Sequence, residues 1–133
     1  MYTIHGVKIE IDDSLLTDTN SDTGFRDILK ERLLSGKWES EEAEYIKLLS
    51  PNASVLELGG CIGYISNLTN KMLTNKEKHV VVEANPNLIP VLENNKLING
   101  SKFAIENVIL SDVDNSEVSF FLDKRSILGS TLN

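Results

Sequence analysis

Residues 55–64 read VLELGGCIGY, and residues 79–86 read HVVVEANP. The first stretch is a short apolar run that leads into a glycine-rich turn, and the second is an apolar run that ends in an acid. With a helical pattern between them, this order is typical of a βαβ unit that binds a nucleotide. Glycines let the backbone approach a ligand where a Cβ atom would collide, and the helix that follows directs free N–H groups at that ligand. The two stretches therefore predict a site for an adenosine-type cofactor.

Glu83, which closes the second apolar run, is the predicted ribose ligand. A carboxylate at this place can accept hydrogen bonds from both ribose hydroxyls at once. We expect Glu83→Ala to weaken cofactor binding by about 1.5–3 kcal/mol, the usual value of a charge-assisted hydrogen bond. Strand ends at such a crevice are open to solvent, so we expect the stability of the fold to change little.

The spacing of the glycines indicates which cofactor fits. A dinucleotide-binding turn needs G-x-G-x-x-G, but counted from Gly59 the second and third glycine positions hold Cys61 and Tyr64. A P-loop needs Lys and Ser or Thr after its last glycine, and Gly63 is followed by Tyr64. The pattern that fits is acid-x-G-x-x-x-G, which begins at Glu57 and is similar to motif I of the S-adenosylmethionine (SAM) methyltransferases. SAM carries no pyrophosphate but has a cationic amino group, which a carboxylate can help to hold.

The composition is that of an ordinary soluble domain. The chain has 133 residues, 41% of them apolar and 25% charged, which predicts one domain over residues 1–133, short for an α/β enzyme. The net charge of −7 disfavours nucleic acid as a partner, because phosphates are neutralised by clustered Lys and Arg. No apolar run approaches the ~20 residues that cross a bilayer, so no membrane partner is expected. The lack of a leader pattern and the single cysteine favour a cytoplasmic, reducing location.

Hydrophobic spacing and turn residues predict alternating helices and strands. Residues 1–50 are expected to form a hairpin or extended arm over 2–11, a polar loop over 14–23, and helices over 25–36 and 40–51. Residues 51–133 are expected to form the βαβ core, with strands at 55–58, 80–83, 103–110 and 118–122 and helices over 62–73 and 85–100. The predicted fold class is α/β, a shortened Rossmann-like fold with three α/β/α layers, a mostly parallel sheet and an N-terminal β arm plus helices.

Local signals mark the ends of these helices and their inward faces. Gly36 is expected to end the first helix, and Asn85 with Pro86 to begin the last one, which closes at Gly100. In the helix over 62–73, the residues expected to face inward are Ile65, Leu68 and Met72.

Four segments together resemble one known family. They are Gly36–Glu39; Val55–Gly63; Glu83–Pro86 with Leu92–Asn95 and Asn99–Gly100; and Val108–Asp112 with Glu117–Phe120 and Gly129–Leu132. In this order and spacing they look like the N-terminal half of an FkbM-type methyltransferase, whose members read G-x-x-E, V-L-D-x-G-x-N-x-G, F-E-P-N-P and G-S-S-L at the corresponding places. The resemblance implies a class I methyltransferase fold and methyl transfer from SAM, with a small-molecule or sugar hydroxyl as acceptor.

The resemblance also implies which residues bind SAM. Glu57, Gly59 and Gly63 would line its methionine end, and Glu39 would approach its amino group. Glu83 would take the ribose, and Glu106 or Asn107 would lie near the adenine. The neighbouring residues included in this predicted site are Gly60, Cys61, Ala84 and Asn85. No catalytic residue and no metal ligand is assigned.

Several of these residues also have simpler interpretations. Cys61 replaces the asparagine or glycine that is usual in the family's turn, and a catalytic thiol is disfavoured because it needs a base while His5 and His79 are the only histidines. His5 is expected in a turn and His79 at the start of a strand, without metal-ligand spacing. Trp38 is expected to plug the core on the cofactor side rather than to stack on a substrate.

The family's next segment, an I-D-V-E-G-like motif with further strands, shapes the acceptor pocket and is not found in this sequence. Methyl transfer depends mostly on positioning the two reactants, so we expect SAM binding to be more secure than catalysis. The alternative is a non-catalytic SAM-binding or assembly module that lacks the acceptor half. An NAD-type oxidoreductase is a third possibility, disfavoured by Cys61 and Tyr64.

Residues 55–58 read as a buried parallel strand, because Val55, Leu56 and Leu58 are apolar on both faces. This strand is central in the methyltransferase topology, so without further strands beside it we expect an edge with unpaired backbone groups and an apolar flank. The arm over residues 3–11 is the one free extended segment expected to be able to cover that edge. Otherwise we expect the chain to form a homo-oligomer, or to pair with a partner chain that supplies the missing strands.

Overall fold

The computed structural model describes residues 1–11, 25–112, 119–122 and 129–130. The elements in chain order are β1 (Tyr2–Ile4), β2 (Val7–Ile9), α1 (Phe25–Ser35), α2 (Ser40–Ile46), β3 (Val55–Leu58), α3 (Tyr64–Met72), β4 (His79–Val82), a 3₁₀ turn (Pro86–Leu88), α4 (Ile89–Asn99), β5 (Ala104–Glu106), β6 (Phe121–Leu122) and β7 (Gly129–Ser130). The chain is therefore α/β, as predicted. The loop expected over residues 14–23 lies outside the described residues.

A three-stranded parallel sheet places the carboxyl ends of all its strands at the same end of the sheet. The strand order is β3-β4-β5, with Leu58 beside Val82 and Val82 beside Glu106. Strand β5 is shorter than the expected 103–110, since the paired residues end at Glu106. The sheet and four helices are compatible with a shortened Rossmann-like fold. None of the described helices is long and apolar enough to cross a membrane.

Strand β3 forms an edge of this sheet, as expected, but it is not the buried strand that its composition predicted. Leu56 is 64% exposed and Leu58 is 58% exposed, although both are apolar. Their side chains lie on the face of β3 that no described helix covers, whereas Glu57 points to the opposite, half-buried face. An apolar run alone therefore did not reveal that only one face of this strand is packed.

The N-terminal residues form the expected hairpin. Strands β1 and β2 pair antiparallel through a turn at His5 and Gly6, whose φ values of 47° and 75° are the positive values that a tight hairpin turn needs. Ile4, Val7 and Ile9 are buried in the main core. The core also takes Leu29 and Leu33 from α1 and Tyr64, Val91 and others from the α3 and α4 side.

Two asparagines on α4 bind the free edge of this hairpin as a neighbouring strand would. The Asn95 amide accepts from Glu10 N at 2.8 Å and donates to Glu10 O at 3.1 Å. One helical turn further, the Asn99 amide accepts from Lys8 N at 2.9 Å and donates to Lys8 O at 2.7 Å. The hairpin is thereby fixed against α3 and α4. The prediction that this arm could cover the β3 edge is wrong, because its own edge is occupied elsewhere.

Helix α1 ends at the glycine that the sequence indicated. Gly36 has a φ of 68°, and its N–H donates to Leu33 O at 3.3 Å. The N–H of Lys37 reaches back to Arg32 O at 2.8 Å. These two bonds form a Schellman motif, which satisfies the last carbonyls of a helix. The motif turns the chain sharply toward Trp38 and α2.

Helix α3 buries polar residues as well as the expected apolar ones. Ile65, Leu68 and Met72 are half-buried, and Ile65 and Leu68 pack against the main core, as expected. The fully buried residues of α3 include four polar ones: Ser66, Asn67, Thr69 and Asn70. Three of these make long-range or capping bonds, because Ser66 donates to Glu57, Asn67 to Gly63 O and Asn70 to Lys76 O.

The start of α4 follows its local signals closely. The Asn85 side chain accepts from Asn87 N at 3.0 Å, and Pro86 occupies the first position of the 3₁₀ turn. At the other end Gly100 has a φ of 64° and closes the helix. Both predicted boundary signals are confirmed.

Candidate functional site

A cleft of about 960 Å³ lies beyond the carboxyl ends of β3 and β4. Its floor is formed by strand-end residues: Leu58, Gly59, Cys61, Val82, Glu83 and Ala84. One wall comes from the end of α1 and the start of α2: Arg32, Lys37, Trp38, Glu39, Ser40, Glu41 and Glu42. The other wall is apolar: Leu88, Val108, Ile109, Leu110 and Phe120. The crevice outside the carboxyl ends of parallel strands is where such sheets bind ligands.

The structure brings part of the predicted site together in this cleft. The predicted residues that line it are Glu39, Gly59, Cys61, Glu83 and Ala84. The predicted residues that do not line it are Glu57, Gly60, Gly63, Asn85, Glu106 and Asn107. The second group lies directly behind the first, where its members hold the turns and strand ends in place.

The carboxylate of Glu83 is fixed by the backbone on both sides. One oxygen accepts from Cys61 N at 2.8 Å, and the other accepts from Asn85 N at 2.7 Å. Each carboxylate oxygen has a second lone pair, so the group can still accept two further hydrogen bonds. The expectation that this strand end is open to solvent is wrong, because Glu83 is only 7% exposed. Its removal would leave two backbone donors without a partner, which affects stability as well as binding.

Glu106 and Asn107 act on the backbone behind Glu83 instead of lining the cleft. The carbonyl of Glu106 accepts from Glu83 N at 3.0 Å, and the Asn107 amide donates to Glu83 O at 2.7 Å and to Ala84 O at 3.2 Å. These bonds hold the turn after β4 in place. A contact of either side chain with an adenine stays a prediction.

Glu57 is held by side chains and faces away from the cleft floor. Its carboxylate accepts from Ser66 Oγ at 2.6 Å and from His79 Nε2 at 3.0 Å. His79 is fully buried, begins β4 as predicted, and packs against the Phe103 ring at 5.3 Å between centroids. Glu57 therefore joins three elements, β3, α3 and β4, and its role at the methionine end of a cofactor stays a prediction.

The first two glycines of the turn have different tasks. A Cβ on Gly59 would meet nothing within 4 Å, and the residue has a φ of 89° and lines the cleft. A Cβ on Gly60 would lie 2.5 Å from Val81 Cγ1 and 2.9 Å from Leu92 Cδ2. Gly59 thus leaves room for a ligand to approach the backbone, whereas Gly60 lets the turn pack on α4.

Cys61 is a turn residue with an inert thiol. Its φ is 48°, and its N–H is one of the two donors to Glu83. Burial, together with the nearby Glu39 carboxylate, raises the pKa of the thiol to about 12. Since the thiolate is the nucleophile, this group is not reactive at neutral pH, in agreement with its interpretation as a structural residue.

Glu39 places a carboxyl of unusual pKa in the wall of the cleft. It precedes α2 with a φ of 47°, and its side chain makes no capping hydrogen bond. Burial raises its pKa to about 7, and the negative charges of Glu42 and Glu57 act in the same direction. A positively charged ligand group beside Glu39 would relieve both effects. Trp38, which packs against the main core and also lines the cleft, agrees with its predicted position.

Sequence reasoning missed the two basic residues of the cleft, Arg32 and Lys37, and its apolar wall. Three residues of this wall, Val108, Ile109 and Leu110, follow β5, where the strand was expected to continue to residue 110. The sequence does carry a signal for the basic pair. A helix that ends at Gly36 in a Schellman motif brings Arg32 next to Lys37.

No protein-family model matches the chain, and neither a curated protein nor a solved structure matches it. The resemblance to FkbM-type methyltransferases therefore stays a prediction from the motifs. The function has to be inferred from the geometry and the charges of the cleft.

Proposed function

We propose that this cleft binds SAM and that the protein is a SAM-dependent methyltransferase of the FkbM type, acting on a hydroxyl of a small molecule or a sugar. The observation that carries the proposal is the Glu83 carboxylate. It lies in the cleft immediately after β4, is held there by two backbone N–H groups, and lies across the turn from a glycine that leaves open space. This is the arrangement that a ribose with two free hydroxyls requires.

The geometry of Glu83 suits a diol. The Cys61 and Asn85 N–H groups, at 2.8 and 2.7 Å, each use one lone pair of a different oxygen. The remaining lone pairs lie on both oxygens, so two adjacent hydroxyls can each donate to one of them. A carboxylate that is already held in place loses little freedom when it binds, which favours affinity.

The charges of the cleft favour SAM over a dinucleotide. Four carboxylates line it, Glu39, Glu41, Glu42 and Glu83, against two basic residues, Arg32 and Lys37, so its lining is net negative. A pyrophosphate would bring further negative charge among them, whereas SAM brings an ammonium and a sulfonium group. The raised pKa of Glu39 indicates that this part of the cleft gains from a cation.

The apolar wall provides a surface for a flat ring. Val108, Ile109 and Leu110 follow β5 and line the cleft together with Leu88 and Phe120. An adenine that extends from a ribose at Glu83 would bury its faces against such side chains, and buried apolar area stabilises binding by about 25 cal/mol per Å².

When bound, SAM would supply an activated methyl group to an acceptor hydroxyl, with S-adenosylhomocysteine as the leaving group and the hydroxyl proton released to solvent. The residues of this chain bind and orient: Glu83 holds the ribose, and Gly59 lets the ligand lie close to the backbone. Such positioning supplies most of the rate enhancement for a displacement of this kind.

A second candidate is a SAM-binding or assembly module without transfer activity, and the open edge of β3 favours it. Within the described residues, nothing pairs with the outer edge of β3, and Leu56 and Leu58 are exposed on one face of this strand. We propose that a second copy of the chain pairs along this edge, in either version of the function. The two versions differ in whether a hydroxylated acceptor is turned over.

The experiment is a calorimetric titration with S-adenosylhomocysteine (SAH), with NAD as the control ligand. Wild type is expected to bind SAH and not NAD, because the glycine pattern and the acidic cleft disfavour a pyrophosphate. Glu83→Gln is expected to bind SAH at least tenfold more weakly, since its amide offers one acceptor oxygen where two are used. Glu77→Gln, the same change at an exposed residue outside the cleft, is the matched control. Tighter binding of NAD, or equal SAH affinity in Glu83→Gln, would contradict the proposal.

A further inference from the structure

Two basic residues at the end of α1, Arg32 and Lys37, line the cleft. In its Schellman motif, Lys37 N donates to Arg32 O at 2.8 Å and so brings these two residues together. An apolar contact between the two corresponding positions frequently accompanies this motif. Here both positions are basic, and both residues line the cleft.

Nothing in the described part of the chain neutralises this pair. Arg32 and Lys37 both line the cleft, and neither forms an ion pair with a described carboxylate, although Glu39, Glu41 and Glu42 line the same wall. The helix dipole favours a cation in the last turn, which accounts for Arg32, but Lys37 lies beyond the helix end.

We propose that Arg32 and Lys37 form an anion-binding subsite that takes a carboxylate or phosphate group of a ligand in the cleft. A guanidinium can bind such a group with two parallel hydrogen bonds, and an ammonium adds a point charge. The subsite exists independently of the cofactor's identity. The proposal rests on the proposed function only if the anion is the carboxylate of SAM.

The first source is the carboxylate of the amino-acid part of SAM. Glu39 lies two residues after Lys37 in the same wall and gains from a cation. An ammonium and a carboxylate on one carbon atom would therefore meet neighbouring groups of opposite charge. The second source is an anionic group on the methyl acceptor, which would define acidic or phosphorylated hydroxyl compounds as the substrate class.

The experiment compares the double variant Arg32→Gln/Lys37→Gln with Lys78→Gln/Lys102→Gln, which makes the same change in net charge at exposed residues outside the cleft. The ligands are SAH, 5′-methylthioadenosine, which lacks the amino-acid part, and inorganic phosphate. Glutamine keeps most of the aliphatic stem, and thermal unfolding shows whether both double variants fold. If the first does not, the single variants replace it.

If the anion is the cofactor's carboxylate, the Arg32/Lys37 variant binds SAH at least tenfold more weakly than the control variant and binds 5′-methylthioadenosine equally well. If it belongs to the acceptor, SAH affinity is unchanged, and the variant loses the phosphate binding that the wild type shows in the presence of saturating SAH. Equal affinity of the two double variants for both SAH and phosphate would overturn the subsite.

Failure of the proposed function gives a different result. The wild type would then not bind SAH. In that case phosphate is titrated into each protein in the absence of SAH. Phosphate binding by the wild type and the Lys78/Lys102 variant, but not by the Arg32/Lys37 variant, would still support the subsite. Phosphate binding that is equal in all three proteins, or absent from all three, would overturn it.

Discussion

Glu57 and Glu83 lie near the carboxyl ends of neighbouring parallel strands, but they are held in different ways. Glu57 accepts from two side chains, Ser66 Oγ and His79 Nε2, and does not line the cleft. Glu83 lies two positions after Val81, the residue that pairs with Glu57. Its carboxylate accepts from two backbone N–H groups, and it lines the cleft. Two acids that the motifs assign to one cofactor thus belong to different parts of the structure.

The groups that donate hydrogen bonds to a carboxylate therefore indicate whether it links packed elements or lines the cleft. Side-chain donors from α3 and β4 make Glu57 a link between packed elements. Backbone donors hold Glu83 at the lining of the cleft, with one lone pair on each carboxylate oxygen unused. Glu57 also acts on the cleft wall, because the pKa of Glu39 is raised by burial first and then by the charges of Glu42 and Glu57.

The largest effect on stability is expected from Glu57→Ala. His79 is fully buried, so the loss of its acceptor, and of that of Ser66, should lower the free energy of unfolding by about 2–4 kcal/mol. SAH affinity of the folded protein should change less than threefold, because Glu57 does not line the cleft. Urea unfolding and calorimetry measure both quantities. Unchanged stability with lost binding would reverse the roles given to the two acids.

A pH-dependent effect of up to about 3 kcal/mol is expected from Glu39. Its pKa is about 7 in the folded protein and 4.5 without the fold, so the unfolded chain binds fewer protons between these values. The stability contributed by protonated Glu39 is fully present below pH 4.5 and is lost as the pH rises through 7. Glu39→Gln should therefore raise the free energy of unfolding at pH 8 more than at pH 5, as urea unfolding at the two values would show.

Glu57→Gln sharpens this prediction. Removing the negative charge of Glu57 should shift the pH dependence of Glu39 to lower pH, whereas Glu77→Gln, at the exposed surface, should leave it in place. A pH dependence that is the same in wild type and Glu39→Gln would show that another group is responsible.

A smaller loss of stability is expected from Gly59→Val, in the turn between the two acids. The φ of 89° strains a branched residue by about 1–3 kcal/mol, but no atom lies within 4 Å of the added Cβ. The side chain projects into the cleft, so SAH binding should be lost although the protein folds. Gly60→Ala is the matched comparison: it should lower stability by about 1–3 kcal/mol through its close approach to Val81, while folded molecules still bind SAH. Normal SAH binding by a folded Gly59→Val would show that the turn does not contact the ligand.

These results separate what the sequence could predict from what it could not. The helix ends at Gly36, Asn85 and Gly100 follow from local backbone chemistry and were predicted correctly. The buried polar residues of α3 were missed because contacts such as the bond from Lys102 N to Asn70 Oδ1, between residues 32 apart, arise only in the fold. Likewise, motif spacing placed both acids near one cofactor, but only the tertiary donors of each acid show which one lines the cleft.

The smallest effect on stability is expected at the β3 edge. A second copy could pair with β3 antiparallel, with Leu56 of one copy opposite Leu58 of the other. The wild type should therefore sediment as a dimer at micromolar concentration. Leu56→Lys should make it a monomer while changing the free energy of unfolding of the monomer by about 0.5 kcal/mol or less. Leu97→Lys, at a residue that is 78% exposed on α4, should remain a dimer. A wild-type monomer would show that this edge does not associate.

The most direct test of the central claim, that Glu83 binds the ribose of SAM, is a double-mutant cycle between protein and ligand. Calorimetry would compare SAH with its 2′,3′-dideoxyribose analogue on the wild type and on Glu83→Ala. The expected result is a coupling free energy of about 1.5–3 kcal/mol, with the wild type strongly preferring SAH and the variant binding the two ligands alike. Because the cycle cancels any loss of stability in the variant, an equal preference for SAH in both proteins would contradict the assignment of Glu83.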